Sequence, residues 1–339
     1  MSTEPQQTRQ PSPGLIFDTL NGYQRSQAIK TAIELELFTA IGEGKTTAKE
    51  IAERCGASER GTRILCDFLT IIGFLTKQDD KYALTQDSAM FLDQRSPAYM
   101  GTVTDFILSD YIMDNFDRLT EAVRNGGCVS DTALEPSHPM WVRFARAMAP
   151  MMALPSQLMA QLVDPAKDTK LRVLDIAAGH GLYGIAFAKQ NPQVEVTAVD
   201  WPVVLEVAKE NAAKASVNNR YHTNPGSAFD VDYGTDFDVV LLTNFLHHFD
   251  KPTCEWLLRK VHSALGEGGR AVALEFVPND DRITPPQAAA FAMQMLGGTP
   301  GGDAYTFAEL QEMAANAGFA RSEMHELPPT IERVVISYK

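Results

Sequence analysis

The feature that most constrains this chain is the segment LRVLDIAAGHGLYGIAFAKQN, residues 171–191. Its first part, residues 171–176, is a nearly continuous apolar run, which predicts a parallel strand covered on both faces. A turn of small residues follows, and the pattern after it predicts a helix over 182–189. Small residues let backbone N–H groups approach a ligand, and a helix N-terminus carries partial positive charge. The segment therefore predicts a binding site for a nucleoside-containing cofactor.

Two cofactors fit this site. A second apolar run, VEVTAV, ends in Asp200, and an acid at the tip of the second strand usually holds ribose hydroxyls. Gly179, Gly181 and Gly184 satisfy the G-x-G-x-x-G fingerprint of dinucleotide sites, which alone is a weak signal. Asp175 favours S-adenosylmethionine, because a carboxylate before the glycines would repel the diphosphate of NAD. The same carboxylate can organise contacts to the methionyl ammonium, directly or through water.

Composition excludes several classes of protein. The 339 residues suffice for two domains, and 45% hydrophobic with 22% charged residues is typical of a globular protein. The net charge of −13 argues against nucleic-acid or anionic membrane partners. The four cysteines form no C-x-x-C pair, which favours free thiols over disulfides or zinc. Since no signal peptide or apolar span is evident, we expect a cytoplasmic protein without a membrane partner.

The N-terminal region has the pattern of a winged helix-turn-helix. Helical patterns over 15–40 precede a Thr-capped helix that closes at Gly56, a helix that begins after Ser58, and a two-stranded wing with its turn at 79–80. DNA binding needs several cations on one face, but residues 1–95 hold 11 Lys or Arg against 13 Asp or Glu. We therefore interpret the region as a helical module whose apolar first helices form a homodimer interface.

The rest of the chain indicates an α/β fold. Residues 98–165 predict helices, with one near 99–125 and a methionine-rich one that Pro150 and Pro155 should kink or break. From Lys170 onward strands and helices alternate, which predicts a doubly wound parallel sheet with helices on both faces. The last two strands follow each other without a crossover helix. We therefore expect an antiparallel hairpin at the sheet edge, which dinucleotide-binding folds lack.

Five motifs in order make the chain resemble class I S-adenosylmethionine-dependent methyltransferases: VLDIAAGHG, VTAVDWP, NFLHHFD, LEFVPND and TFAELQEMAANAGF. More narrowly, it is similar to the small-molecule O-methyltransferases that include plant caffeate, acetylserotonin and bacterial tailoring enzymes. The resemblance runs from about Leu15 to the C-terminus. It implies a winged-helix dimerisation domain over 12–98, a helical connector and substrate wall over 99–165, and a Rossmann-like S-adenosylmethionine-binding catalytic domain over 166–339.

The resemblance also implies functional residues. His247, in NFLHHFD, matches the catalytic base, and Glu275 matches the acid that orients it. The expected cofactor-binding residues lie in the loop after the first strand, at the tip of the second, in GSAF and before NFLHHFD. They are Asp175, Ala177, Gly179, Gly181, Asp200, Trp201, Ser227, Ala228, Phe229 and Asn244.

Acceptor-binding residues are expected in the methionine-rich helix and in a lid over 279–306, which together would enclose a small, mostly apolar molecule. They are Met148, Met152, His248, Phe291 and Met295.

The chain departs from the family pattern at a few positions. Ala177 and Ala178 replace loop glycines, His248 replaces an aspartate, Ser227 stands where an aspartate is frequent, and Ala304 stands where plant members have a second glutamate. The two adjacent histidines have no acid or cysteine cluster at ligand spacing, so we expect no metal.

These observations predict an enzyme that moves the methyl group of S-adenosylmethionine to a small-molecule acceptor, most readily a hydroxyl oxygen, with His247 as general base. A phenol or alcohol needs a base because it is protonated at working pH. The alternatives are thiol, nitrogen or carbon methylation by proximity in the same fold, an NAD-dependent oxidoreductase, and a winged-helix DNA-binding regulator.

Overall fold

A computed structural model describes residues 11–128, 138–164 and 169–339. The chain divides into two compact units, one up to Thr104 and one from Asp105 onward. The three-part division with boundaries at 98 and 165 stays a prediction. Within the described residues, no helix combines the length and apolar character needed to cross a membrane.

The first unit is helical with one small hairpin, as the winged-helix pattern predicts. Strands β1 and β2 pair antiparallel around the turn at 79–80. The elements of this unit are α1 (Gly14–Leu20), α2 (Gly22–Glu34), α3 (Leu37–Gly42), α4 (Ala48–Cys55), α5 (Glu59–Ile71), β1 (Leu75–Gln78), β2 (Lys81–Leu84) and α6 (Gln86–Phe91).

Local signals set the helix ends in this unit. The Thr47 hydroxyl and the Glu50 carboxylate form a reciprocal capping box at the start of α4, and the Ser58 hydroxyl caps α5. Gly56 ends α4 in the left-handed conformation, with φ of 64°. Helix α1 differs from the others because none of its residues is buried. Its apolar face therefore lacks a partner among the described residues.

Helices also open the second unit, but they are shorter than the sequence predicts near 99–125. The chain turns there at Ser109, whose hydroxyl caps α8, and again at Arg118. The helices are α7 (Thr104–Ile107), α8 (Asp110–Asp117), α9 (Leu119–Asn125) and α10 (Pro139–Val163).

A seven-stranded sheet forms the centre of the second unit, in the order β5-β4-β3-β6-β7-β9-β8. Strands β3 to β7 are parallel, whereas β9 runs antiparallel to β7 and β8, which confirms the predicted terminal hairpin. The strands are β3 (Leu171–Ile176), β4 (Val194–Asp200), β5 (Tyr221–Pro225), β6 (Phe237–Thr243), β7 (Leu265–Glu275), β8 (Arg321–Glu326) and β9 (Arg333–Tyr338).

Helices cover both faces of this sheet, which confirms the doubly wound fold. One apolar core joins the sheet to α10 and the first two helices that follow β3, and a second core lies on the opposite face. The remaining helices are α11 (Leu182–Gln190), α12 (Pro202–Lys214), α13 (Lys251–Ala264), α14 (Pro286–Gly298) and α15 (Phe307–Asn316).

The methionine-rich helix α10 corrects one expectation. It continues through Pro150 and Pro155, so neither proline breaks it, and the predicted kink stays a prediction. Each proline removes a backbone donor, but α10 packs against both α11 and α12. Burial of residues such as Met148, Met152 and Met159 in this contact sustains the helix where local propensity does not.

Positive φ angles, a hydrogen bond and close packing together shape the turn between β3 and α11. Gly179 and Gly181 have φ of 57° and 75°, and Ala177 also has a positive φ, of 54°. The Gly184 N–H donates to Asp175 Oδ2 at 3.0 Å, which ties the first turn of α11 to the end of β3. The other oxygen, Asp175 Oδ1, is buried without a hydrogen-bond partner among the described residues.

Replacing Gly184 tests this packing. A Cβ there would lie 2.7 Å from Val196 Cγ1 and 2.9 Å from Asp175 Oδ2. We expect Gly184→Ala to lower the free energy of unfolding by about 1–3 kcal/mol, measured by urea denaturation. The control is Gly298→Ala, where an added Cβ meets no atom within 4 Å, and this variant should be at least as stable as the parent. Equal stability of Gly184→Ala and the parent would contradict the packing argument.

The burial of Asp175 predicts a pH dependence of stability. Burial raises the pKa of this carboxyl from 3.8 to about 7, although the Gly184 N–H opposes the effect. Between pH 4 and 7 the folded state therefore binds more protons than the unfolded state, so stability falls as pH rises through that window. Asp175→Asn cannot ionise, and its amide oxygen still accepts from Gly184.

We expect the cofactor-free Asp175→Asn variant to lose less stability than the parent between pH 5 and 8. Each pKa unit corresponds to about 1.4 kcal/mol, so the difference should be on the order of 2–4 kcal/mol by denaturant titration. Asp280→Asn, at an exposed position, is the control and should follow the parent. If Asp175→Asn also follows the parent, the carboxyl is not buried as described.

Candidate active site

A cavity of about 360 Å³ opens at the carboxyl ends of β3, β4 and β6. Ligands bind at this edge in open α/β sheets, where the strand order changes direction. The wall is mostly aromatic and aliphatic, and it includes residues from α10, α11, α12 and the connecting segments that were not predicted as site residues. These are Trp141, Phe144, His180, Tyr183, Val204, Phe245, Phe249 and Thr299.

Most of the predicted cofactor residues come together here. Eight of them line the cavity: Ala177, Gly179, Asp200, Trp201, Ser227, Ala228, Phe229 and Asn244. Three predicted acceptor residues, Met148, Met152 and His248, line the same cavity.

Asp200 connects the two loops that face the predicted ribose site. Its Oδ2 accepts from the Gly179 N–H at 2.8 Å and its Oδ1 from the Trp201 N–H at 2.6 Å. Burial raises the pKa of this carboxyl to about 6, opposed by these two backbone donors. Each oxygen keeps a second lone pair, so the carboxylate can also accept from two hydroxyls of a bound ribose.

The segment after β5 forms an aromatic wall. Ser227 Oγ accepts from the Phe229 N–H at 3.1 Å, which fixes the turn. The Phe229 ring stacks on Trp256, with centroids 5.7 Å apart, and meets Phe249 edge-on at 5.1 Å. Lys260 Nζ donates to the carbonyl oxygens of residues 228 and 229 at 3.0 and 2.9 Å. The wall is therefore rigid enough to hold a flat ring system such as adenine.

His247 and Glu275 form a buried pair at the end of β6. His247 Nδ1 lies 2.5 Å from Glu275 Oε2, and both side chains are about 95% buried. Glu275 Oε1 accepts from the backbone N–H groups of Phe245 and Leu246 at 3.0 and 2.9 Å. With Glu275 as the acceptor, Nδ1 carries a proton and Nε2 is left to act as a base.

The neighbouring His248 has a different environment. Its ring lies 4.4 Å from the His247 ring and lines the cavity, whereas His247 does not. Burial, and secondarily the charge of His247, hold the pKa of His248 well below its usual range. His248 is therefore neutral at neutral pH.

Four predicted ligand-binding residues lie outside the cavity wall, as do His247 and Glu275. Asp175 and Gly181 lie behind the loop, where the N–H groups at the start of α11 attract the carboxylate and where Gly181 packs against Tyr221 and Ala208. The role of Asp175 in organising contacts to the methionyl ammonium, directly or through water, stays a prediction. Phe291 lies against the His247 ring, with centroids 4.8 Å apart, and Met295 is buried in α14.

Sequence reasoning missed Glu332. This residue is 4% exposed, and its Oε1 accepts from Asn244 Nδ2 at 2.9 Å. Burial raises the pKa of its carboxyl to about 7, opposed chiefly by the Asn244 amide. The available signal was spacing by two, because Glu332 is in line with Val334 and Ile336, which belong to the core on one face of the sheet.

A metal centre is not apparent in the described part of the chain. Among residues 11–128, 138–164 and 169–339, no three His, Cys, Asp or Glu side chains are grouped so that they could hold a metal ion.

Comparison with known proteins assigns the chain to a family. The O-methyltransferase domain matches residues 118–320, and the O-methyltransferase dimerisation domain matches residues 17–94. The 3-hydroxy-5-methyl-1-naphthoate 3-O-methyltransferase of Streptomyces sahachiroi is 30% identical over 312 residues, which cover 90% of this chain and 89% of the relative.

Two solved structures share the fold. A Nostoc punctiforme protein, described only by family as an O-methyltransferase, is 56% identical with a TM-score of 0.94, and the match covers 98% of this chain and 100% of that one. Human N-acetylserotonin methyltransferase in complex with S-adenosylmethionine has a TM-score of 0.86 at 21% identity, covering 99% of each chain. The chain therefore belongs to the S-adenosylmethionine-dependent small-molecule O-methyltransferases that carry an N-terminal dimerisation domain.

Proposed function

We propose that this enzyme methylates an aromatic hydroxyl group of a small, largely apolar molecule, with His247 as general base. The observation that carries the proposal is the buried His247–Glu275 pair beside the cavity. A base held by a carboxylate is the recurring arrangement for activating a hydroxyl nucleophile. The S. sahachiroi relative, by its name, also methylates an aromatic hydroxyl.

The cavity residues fit the cofactor. Asp200 would accept hydrogen bonds from the ribose, Phe229 would contact the adenine, and the backbone of the Ala177–Gly179 loop would approach the ligand closely. Bound S-adenosylmethionine supplies an activated methyl group on a sulfonium sulfur. The protein then has to align the acceptor and exclude water, and alignment alone can contribute about 7–11 kcal/mol.

His247 is a better base than His248. A proton taken by His247 Nε2 creates an imidazolium that Glu275 stabilises through Nδ1. Burial of His248 and the charge of its neighbour disfavour a proton on the second ring. His248 would instead contact the acceptor at the cavity wall.

The acceptor would be bound mainly by apolar contact. Met148 and Met152 present flexible thioether side chains to the cavity. Phe291 stacks on Phe276, with centroids 4.1 Å apart, and holds the His247 ring from the side of α14. With Met295, these residues would close the acceptor site as a lid.

We also propose that the chain forms a homodimer through its first unit. The apolar side chains of α1 are well exposed, with Leu15, Phe17 and Leu20 at 75%, 59% and 66%. Contiguous apolar exposure of this kind is typical of an interface, and two-fold dimers are the commonest assembly. The cytoplasmic location and the absence of a nucleic-acid partner stay predictions.

A labelled-methyl screen tests the acceptor chemistry. The purified protein is incubated with methyl-labelled S-adenosylmethionine and panels of phenols, alcohols, thiols and amines, and the products are identified by mass spectrometry and NMR. We expect O-methyl ethers of phenols. Transfer confined to sulfur, nitrogen or carbon would contradict the proposal and would indicate catalysis by proximity.

The role of His247 is tested by substitution. We expect His247→Ala to lower kcat for a phenol by about 10²–10⁴-fold and to leave S-adenosylmethionine affinity unchanged, because the base acts on the acceptor alone. Glu275→Gln should lower kcat in the same direction. His222→Ala, at an exposed position on β5, is the matched control. If His247→Ala keeps the parental kcat, or if His248→Ala rather than His247→Ala lowers kcat, then His247 is not the base.

The dimer interface is tested with Phe17→Asp/Leu20→Asp. Charges on this helix should prevent its burial, so the variant should sediment as a monomer at concentrations where the parent is dimeric. Its circular dichroism should be unchanged, since both side chains are exposed. Val123→Asp, at a 60% exposed apolar position outside the first unit, is the control and should remain dimeric. A dimeric double variant would mean that α1 lies outside the interface.

A further inference from the structure

Glu332 is a buried acid that the reaction described above does not use. It lies just before β9, on the sheet face that α10 and α11 cover, in line with Val334 and Ile336. It is 4% exposed and does not line the cavity. A buried carboxyl group is costly unless it makes a specific hydrogen bond, so its partner is informative.

That partner is Asn244, which does line the cavity. Asn244 Nδ2 donates to Glu332 Oε1 at 2.9 Å and lies 3.4 Å from the Tyr183 hydroxyl. Asn244 Oδ1 is buried and has no hydrogen-bond partner among the described residues. Buried amide oxygens are nearly always paired in folded proteins, so an orphan oxygen at a cavity indicates a ligand that supplies the donor.

Glu332 determines which way the Asn244 amide points. Glu332 Oε1 acts as the acceptor in this hydrogen bond, so it holds the NH2 end of the amide toward Glu332. The amide oxygen is then turned away from Glu332 and is free to accept. Without Glu332 the amide could rotate about χ2 and present either end to the cavity.

The strand order indicates which part of the cofactor meets this oxygen. Asp200 ends β4 and the 226–229 turn follows β5, so the nucleoside contacts lie on one side of β3. Asn244 follows β6, on the other side of β3. The end of S-adenosylmethionine opposite to the nucleoside is the methionyl group, whose ammonium has three N–H donors and no acceptor.

We propose that Glu332 is a positioning residue that orients the Asn244 amide so that its oxygen accepts a hydrogen bond from the methionyl ammonium of S-adenosylmethionine. Glu332 acts through Asn244 and does not touch the ligand. The proposal concerns cofactor binding alone and holds whichever acceptor the enzyme methylates.

Calorimetry with two ligands tests the proposal on the full-length protein. S-adenosylhomocysteine carries the amino-acid ammonium, and 5′-methylthioadenosine has the same nucleoside without it. We expect Glu332→Leu to weaken S-adenosylhomocysteine binding about tenfold, as expected for one charge-assisted hydrogen bond, and to leave methylthioadenosine binding unchanged. Glu332→Gln, which keeps an acceptor oxygen, should retain most of the affinity.

A double-mutant cycle tests the route through Asn244. Asn244→Ala should itself weaken S-adenosylhomocysteine about tenfold, and adding Glu332→Leu to it should cause no further loss. Asn244→Ala also keeps the test open if Glu332→Leu fails to fold. The proposal is overturned if Glu332→Leu binds S-adenosylhomocysteine like the parent, if both ligands weaken equally, or if the two substitutions act additively.

Discussion

Four carboxyl groups at one edge of the sheet, three of them buried and Asp200 half-buried, are the constraint on which this site depends. Asp175, Asp200, Glu275 and Glu332 are each held by N–H donors rather than by cations. Those donors belong to the loops after β3, β4 and β6, so each hydrogen bond that compensates burial also fixes a loop. No Lys or Arg is among the described residues that line the cavity. The edge is thus suited to a ligand that brings its own positive charge, as a sulfonium with an ammonium does.

The parts of the fold that depend on local signals could be predicted from the sequence. The strand, turn and helix over 171–190 follow from an apolar run, small residues and a 3.6-residue period. The terminal hairpin follows from two strands without a helix between them. Helix α10 shows the limit of this reasoning. Pro150 and Pro155 are strong local breakers, but the helix persists because its contact with α11 and α12 is a tertiary effect that local propensity does not include.

The functional residues likewise divide into those that the sequence indicates and those that only the tertiary structure reveals. The resemblance to the family indicated His247 and Glu275, and the structure brings the two into contact across β6 and β7. His248 was predicted as an acceptor residue and lines the cavity, but the sequence did not indicate that the adjacent His247, in the same 3₁₀ turn, lies behind the cavity wall. Glu332 was missed because its partner is 88 residues away, and only the sheet order places them side by side.

The distribution of polar and apolar side chains around the cavity influences which acceptors it can bind. Polar groups at Asp200, Ser227 and Asn244 are on the elements proposed to bind the cofactor, whereas α10 contributes aromatic and thioether side chains. Apolar contact discriminates weakly between acceptors of similar size, since one methylene changes binding by only about 1–3 kcal/mol. Selection among apolar acceptors of one size would therefore depend on where the hydroxyl lies relative to His247. If the site is built as proposed, substitutions along α10 and α14 will change the acceptor while the loops proposed to bind the methyl donor stay as they are.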